Sequence, residues 1–191
     1  MKNQNNLILI KHSLPIITPD VPARDWPLST IGQQRCHALA EKIQPYQPEL
    51  FYCSEETKAV QTAQILADQL SLPHQTDPNL HEHDRSNVDF STKEVFERKI
   101  SGFFKYPDKL VMGRETAKQA QDRFCGAVRN LITRHPTQNL AIVAHGTVIT
   151  LLVAQQTNRP AFPFWQQLGL PSFVVFSLPD WELISVEEII H

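Results

Sequence analysis

Two histidines in this chain each follow directly on a short apolar run, which places reactive groups at the ends of predicted strands. His12 and its neighbour Lys11 follow residues 7–10, and His145 follows residues 140–144. Uninterrupted apolar runs of this length predict strands that are buried on both faces of a sheet. In α/β sheets the binding cleft lies at the carboxyl ends of the strands. We therefore expect the two imidazoles to face one cleft.

A third apolar run, Leu50–Cys53, leads to Ser54 and then to Lys58, while Glu82 lies in an irregular segment further on. With Lys11 and the two histidines, the cleft would hold two imidazoles, two ammonium groups and a carboxylate. This set fits phosphoryl transfer, because cations and helix N-termini stabilise the negative charge of its transition state. A neutral imidazole can act as the nucleophile, and a carboxylic acid can protonate the leaving oxygen.

Apolar residues at helical spacing fill most of the segments between the predicted strands. Three helix starts are expected from N-capping patterns, at Thr30 with Gln33, at Ser54, and at Ser91 with Glu94. A long helix is expected from Glu115 to the residue before Pro136, and a buried helix over Val148–Ala154.

The remaining segments are predicted to be loops and a closing hairpin. Residues 15–27 and 72–89 are expected to be irregular, and so is the segment around Pro160 and Pro163. Residues 172–178 and 183–186 are expected to form the hairpin. The alternation of strands and helices predicts a single domain over residues 1–191, with a three-layer α/β/α sandwich around a mostly parallel central sheet.

Composition limits the kinds of partner that this chain can have. A net charge of −2 does not favour nucleic-acid binding, which usually leaves a clustered basic footprint. Cys36, Cys53 and Cys125 show no C-x-x-C spacing and are odd in number, which indicates reduced thiols. The polar residues 1–6 do not resemble a signal peptide, and the longest apolar stretch, Leu140–Ala154, is too short to span a bilayer. We expect a cytoplasmic protein that binds no membrane.

Five motifs, in this order along the chain, resemble those of the histidine phosphatase superfamily, the phosphoglycerate mutase-like proteins. Its Arg-His-Gly motif corresponds to Lys11-His12-Ser13, its Leu-Thr/Ser-x-x-Gly to residues 28–32, and its Ser-x-x-x-Arg-Ala-x-x-Thr-Ala to residues 54–63. Its Leu-x-Glu corresponds to residues 80–82, and its late strand followed by His-Gly to residues 143–146. The resemblance implies the same fold and an enzyme that transfers or hydrolyses phosphoryl groups.

The resemblance also implies a role for each matching residue. His12 would be the nucleophile that forms a phosphohistidine, and His145 the second imidazole on the transferring phosphoryl group. Glu82 would be the general acid and then the base for water. Lys11 and Lys58 stand where the family has two phosphate-binding arginines.

Departures from the family pattern refine this expectation. Lysine keeps the positive charge of arginine but lacks its planar, bidentate fork. Ser13 replaces a glycine, and its hydroxyl could either reach the phosphate or hold the loop. Arg85 is a candidate contact to substrate. The mutases of the family follow their Arg-His-Gly motif with acidic and Trp-Asn residues, whereas this chain has Leu14-Pro15, which favours a phosphatase.

The leading hypothesis is therefore a metal-independent phosphomonoesterase that acts on a small phosphorylated metabolite and needs no cofactor. Two alternatives within the same family are a phosphate-binding or regulatory module with little turnover and a mutase-type phosphotransferase. A third is a metal site at His81, Glu82, His83 and Asp84, for which no further ligands have recognisable spacing. Asp84 and Asp89 also compete with Glu82 for the role of acid.

Overall fold

The structure, a computed structural model, describes residues 5–191 and contains a six-stranded mixed sheet with helices on both faces. Residues 1–4 of the predicted polar N-terminal segment lie outside the described residues. The strands are β1 (Asn5–Lys11), β2 (Leu50–Cys53), β3 (His74–Thr76), β4 (Leu140–Ala144), β5 (Ser172–Leu178) and β6 (Glu182–Glu187). The α-helices are α1 (Thr30–Ile43), α2 (Thr57–Leu70), α3 (Lys93–Lys105), α4 (Ala117–Arg134), α5 (Gly146–Thr157) and α6 (Ala161–Gln167).

The sheet has the strand order β3-β2-β4-β1-β5-β6, and its first four strands run parallel. β5 and β6 are antiparallel and form the predicted closing hairpin. In the centre, β4 pairs with β1 on one side and with β2 on the other, so that Lys11 lies opposite Ala144 and Cys53 opposite Val143. The predicted α/β/α sandwich with a mostly parallel sheet is confirmed.

The apolar run of β1 is continuous because its two faces pack against different helices. Leu7 and Leu9 belong to the core cluster that also contains residues of α4 and α5, while Ile8 and Ile10 belong to the cluster that contains residues of α1 and α2. Successive side chains of a strand point to opposite faces, so a strand covered on both sides needs apolar residues at every position. A third, smaller cluster joins α3 to α4 and α5.

The N-cap residues differ from the predicted ones by one or two positions. Ser29, not Thr30, caps α1, because its hydroxyl accepts from the Gly32 amide and also donates to the Leu14 carbonyl. The α2 helix begins at Thr57, three residues after Ser54. Thr92 rather than Ser91 caps α3, and Thr116 forms a capping box at the start of α4. Sequence patterns located these helices correctly, and at α1 the additional bond from Ser29 to the Leu14 carbonyl distinguishes the observed cap from the predicted one.

Two short elements were absent from the sequence-based prediction. β3 lies in a segment predicted to be irregular, and its His-Gln-Thr sequence has no apolar pattern to reveal that it pairs with β2. The α6 helix lies where two prolines predicted a loop. Pro160 precedes the first helical residue and Pro163 is in the first turn, where a helix tolerates a missing amide hydrogen.

The three cysteines and the apolar α5 helix lie inside the protein, as expected from the sequence. Cys36, Cys53 and Cys125 are buried as separate free thiols, and burial raises the pKa of each to about 11 or 12. The apolar α5 helix packs inside the protein, and within residues 5–191 none of the helices is both long and apolar enough to cross a bilayer.

We predict that Gly32→Ala destabilises the fold, because a Cβ atom at this position would lie 2.1 Å from the Leu14 carbonyl oxygen. Equilibrium unfolding in urea should show a free energy of unfolding lower by about 1–3 kcal/mol. Gly126→Ala is the matched control, because Gly126 lies inside α4 and a Cβ atom there would have no neighbouring heavy atom within 4 Å. This substitution should raise the free energy of unfolding by about 0.5–1 kcal/mol. Equal stabilities of the two variants would contradict the close approach between α1 and the loop after β1.

Candidate active site

The imidazole of His12 lies at the carboxyl end of β1, and one of its nitrogens is fixed by a backbone hydrogen bond. The His12 amide donates to the Ala144 carbonyl, which extends the β1–β4 pairing into the site. His12 Nδ1 lies 2.8 Å from the Ser13 carbonyl oxygen. Because a carbonyl oxygen can only accept, Nδ1 carries the proton and Nε2 keeps a free lone pair.

The second imidazole, His145, stands beside the first at the end of β4. The two ring centroids are 5.1 Å apart and the rings meet edge to face. Burial, with neighbouring cations, holds the pKa of His12 well below its usual value, and His145 itself contributes to this shift. Burial also lowers the pKa of His145 to about 4, against the opposing charges of two carboxylates. Both rings are therefore neutral near pH 7.

The two lysines reach the site from different elements and are each held by a backbone carbonyl. Lys11 Nζ donates to the Leu168 carbonyl at 2.6 Å. Its side chain passes over Gly146, where a Cβ atom would lie 3.1 Å from Lys11 Cε. Lys58 Nζ donates to the Ala23 carbonyl at 2.7 Å. Each ammonium has three donors, so N–H groups remain available for phosphate oxygens.

The carboxylate of Glu82 is held between two backbone amides. Its Oε1 accepts from the His83 amide at 2.9 Å, and its Oε2 accepts from the Thr147 amide, in the first turn of α5, at 3.2 Å. Burial would raise the pKa of Glu82, but Arg85, His145 and the His83 amide outweigh it and keep the pKa below its usual value. The α5 N-terminus thus points to the same place as both imidazoles.

Of the two further candidate residues, Ser13 is bound within the loop after β1, and Arg85 lies near the pocket. Ser13 is fully buried, and its hydroxyl donates to the Gly32 carbonyl at 2.7 Å, which favours a role in holding the loop. Arg85 lies near the pocket, since its charge lowers the pKa of both Glu82 and Lys11. Its guanidinium carbon is 4.8 Å from the ring centroid of Phe96, the geometry of a cation–π contact.

Sequence reasoning missed Glu56, which lies among the predicted site residues with a side chain only 12% exposed. Its Oε2 accepts from Lys58 Nζ at 2.5 Å, and its Oε1 accepts from the Glu82 amide at 2.9 Å. Burial would raise the pKa of Glu56, yet His145 and Lys58 hold it far below its usual value. The available signal was an acidic residue two positions before Lys58, which is indistinguishable in sequence from a surface charge such as Glu55.

Sequence reasoning also missed a salt bridge that holds the segment carrying Glu82. Arg123 Nη2 lies 2.6 Å from Glu115 Oε1, and both side chains are mostly buried. Arg123 Nη1 donates to the Asn79 and His81 carbonyls, both at 2.9 Å, and Nη2 approaches the Glu82 carbonyl at 3.3 Å. The pair spans eight residues and crosses a helix start, so helical side-chain spacing does not reveal it.

The side chains proposed as an alternative metal site do not converge. His81 Nδ1 faces the Glu82 carbonyl, whereas the His83 ring packs at a tilt against Phe103 with its Nε2 towards the Glu115 carbonyl. Among residues 5–191, no three His, Cys, Asp or Glu side chains are grouped as metal ligands.

Comparison with known proteins identifies the family and the fold. Residues 21–180 match the model of the histidine phosphatase superfamily, branch 1. This chain belongs to the histidine phosphatase superfamily. A curated relative, the uncharacterized phosphatase PhoE of Bacillus subtilis, is 24% identical over 131 residues, which make up 69% of this chain. The match spans 65% of that relative, just under two thirds of its length.

Several solved structures share the fold over nearly the whole chain. YhfR of Bacillus stearothermophilus has a TM-score of 0.76 at 22% identity and covers 98% of both chains. A mycobacterial glucosyl-3-phosphoglycerate phosphatase has a TM-score of 0.74 at 20% identity, over 91% of this chain and 90% of its own. A phosphoserine phosphatase mutant from Entamoeba histolytica has a TM-score of 0.77 at 16% identity, over 96% of both chains. At these identities the similarity establishes the fold.

We predict that Arg123→Met lowers both stability and the order of the segment that carries Glu82. Removing one partner of a mostly buried ion pair should lower the free energy of unfolding by about 3 kcal/mol, measured by urea denaturation. Arg129→Met is the control, because Arg129 lies on the same helix but is exposed. If the two variants are equally stable, Glu115 and Arg123 do not clamp this segment.

Proposed function

We propose that this chain hydrolyses phosphomonoesters through a transient phosphohistidine on His12. The observation that carries the proposal is the fixed tautomer of His12, whose Nδ1 proton is bound to the Ser13 carbonyl. The low pKa keeps Nε2 unprotonated, so it is nucleophilic at neutral pH. The match to the superfamily and the neighbouring His145, Lys11 and Lys58 support a phosphoryl group as its target.

In the first step, His12 Nε2 attacks the phosphorus atom and the bond from phosphorus to the ester oxygen breaks. Glu82 supplies a proton to the departing oxygen, which leaves as an alcohol. In the second step, Glu82 accepts a proton from water as the water oxygen attacks the phosphohistidine. The P–N bond then breaks, which releases inorganic phosphate and returns Nε2 to its starting state.

The proton on Glu82 must arrive with the substrate, because its pKa is low in the ligand-free pocket. A phosphate dianion placed nearby is a like charge, which raises the pKa of a carboxylic acid. Substrate binding and protonation of Glu82 are therefore coupled. Asp84 is less suited to this role, since its carboxylate accepts from the Ser86 amide and hydroxyl, whereas that of Glu82 accepts from the Thr147 amide in the first turn of α5.

Cations and a helix N-terminus surround the place where negative charge develops. Lys11 and Lys58 act as point charges, the His145 ring can donate a hydrogen bond, and α5 begins directly after His145. We expect a small phosphorylated metabolite as substrate, and the mechanism uses neither a metal ion nor a cofactor. Two structural neighbours, a phosphoserine phosphatase and a glucosyl-3-phosphoglycerate phosphatase, are named for substrates of this class.

One observation favours the alternative of a phosphate-binding module with little turnover. Lysine cannot form the bidentate contacts of arginine, and both lysines donate to backbone carbonyls in the ligand-free pocket. This alternative and the hydrolase share one pocket and differ only in turnover.

Substitution of His12 separates these two functions. We expect His12→Ala to lose about 1000-fold or more of the hydrolysis of p-nitrophenyl phosphate, assayed with EDTA present, because the nucleophile is removed. Wild-type protein denatured during turnover should carry acid-labile phosphate on His12. The control His37→Ala, at an exposed histidine, should retain full activity. Full activity of His12→Ala would refute the mechanism, and saturable binding of a broad phosphometabolite panel without hydrolysis would favour the module.

The charge of Lys11 predicts an alkaline limit to activity. Burial lowers the pKa of Lys11 to about 8, so the ammonium is charged below that pH and loses its proton above it. We therefore expect kcat/KM for p-nitrophenyl phosphate to fall as pH rises through about 8. Lys11→Arg should remove this limb between pH 6 and 10, because a guanidinium stays protonated there. An identical limb in both proteins would assign it to another group.

A further inference from the structure

Glu56 contacts three separate parts of the pocket with one carboxylate. Its Oε2 accepts from Lys58 Nζ on α2, its Oε1 accepts from the Glu82 amide, and the same Oε1 lies 3.4 Å from His145 Nε2 at the end of β4. His145 Nε2 makes no hydrogen bond to this oxygen. No role in the chemical steps proposed above requires this carboxylate.

Glu56 occupies the N-cap position of α2. The side chains that commonly cap a helix at this position are the shorter ones of Ser, Thr, Asp and Asn, which accept from amides of the first turn. Here the side chain makes no capping hydrogen bond to α2 within the described residues. It turns into the pocket instead, where its charge faces Lys58 and where any bound phosphoryl group would face the same lysine.

We propose that Glu56 is a positioning residue of the phosphoryl pocket that holds Lys58 in place and limits how tightly the pocket retains phosphate. This inference rests on the proposed function, since it assigns phosphate to the pocket. Of the three Lys58 donors, one goes to the Ala23 carbonyl and one to Glu56, which leaves a single N–H for a phosphate oxygen.

The charge of Glu56 also acts on the phosphate directly. A phosphate dianion in the pocket meets the carboxylates of Glu56 and Glu82, and these like charges oppose the attraction of the lysines. The charge of Lys58 is partly neutralised by Glu56, so Lys58 binds an anion less tightly than a lysine without this partner would. Release of inorganic phosphate, which limits turnover when a product is held too tightly, is therefore faster with Glu56 present.

The decisive variant is Glu56→Gln, which removes the charge and keeps the size of the side chain. Inorganic phosphate, titrated by calorimetry, should bind this variant about tenfold more tightly than wild type. In turnover of p-nitrophenyl phosphate, kcat and KM should both fall, because substrate and product are held more tightly. Glu55→Gln, at the exposed neighbouring glutamate, is the matched control and should change neither value. Lys58→Met should lose phosphate binding, which locates the ion in this pocket.

A second substitution separates charge from shape. Glu56→Asp keeps the charge on a shorter side chain, so its phosphate affinity should stay within about threefold of wild type. Equal or weaker phosphate binding by Glu56→Gln, or tightening by Asp as strong as by Gln, would overturn the inference. Should Glu56→Gln not fold, Glu56→Met provides the same test. Calorimetry measures phosphate binding without turnover. A wild-type chain that binds phosphate but does not hydrolyse p-nitrophenyl phosphate would therefore refute the proposed function, while the effect of Glu56 on phosphate affinity could still be measured.

Discussion

The pairing of β4 with β1 on one side and β2 on the other determines where the two imidazoles of the candidate site lie. The register continues past the strands themselves, since the His12 amide donates to the Ala144 carbonyl and the Ser54 amide to the Val143 carbonyl. A shift of one residue in either pairing would exchange the side chains that face the two apolar clusters, so that Leu7 and Leu9 would point to the side of α1 and α2. The observed register sets the distance between His12 and His145.

The central fold could be predicted from sequence because its signal is strong and local. Strands covered by helices on both faces need apolar side chains at every position, which makes β1, β2 and β4 visible as uninterrupted runs. The same argument fails for β3, a three-residue edge strand whose pairing with β2 needs no apolar side chain. Capping residues were misplaced where a tertiary contact decided, as when Ser29 bonds to the Leu14 carbonyl as well as to its own helix.

The candidate site could be predicted only for residues that belong to a motif or that end a strand. His12, His145, Lys11, Lys58 and Glu82 satisfy one of these conditions, and the structure brings them together. Glu56 and Arg123 satisfy neither, because their partners lie on segments that are distant along the chain. The buried carboxylate and the clamp on residues 79–82 become visible only when the fold places these segments side by side.

Lysine in place of arginine changes what the rest of the pocket has to supply. A guanidinium presents several donors in one rigid plane, so the directions of these donors relative to each other are fixed. An ammonium on a flexible chain can point in many directions. In this structure the missing restraint comes from outside the side chain. The Leu168 carbonyl holds Lys11, and the Ala23 carbonyl together with Glu56 holds Lys58, so each cation has a defined position before a ligand arrives. An acceptor that orients a lysine also competes with phosphate for it, and with Glu56 that competition includes a full negative charge. Orientation and anion affinity are therefore linked at Lys58, whereas Lys11 is oriented by a neutral carbonyl alone.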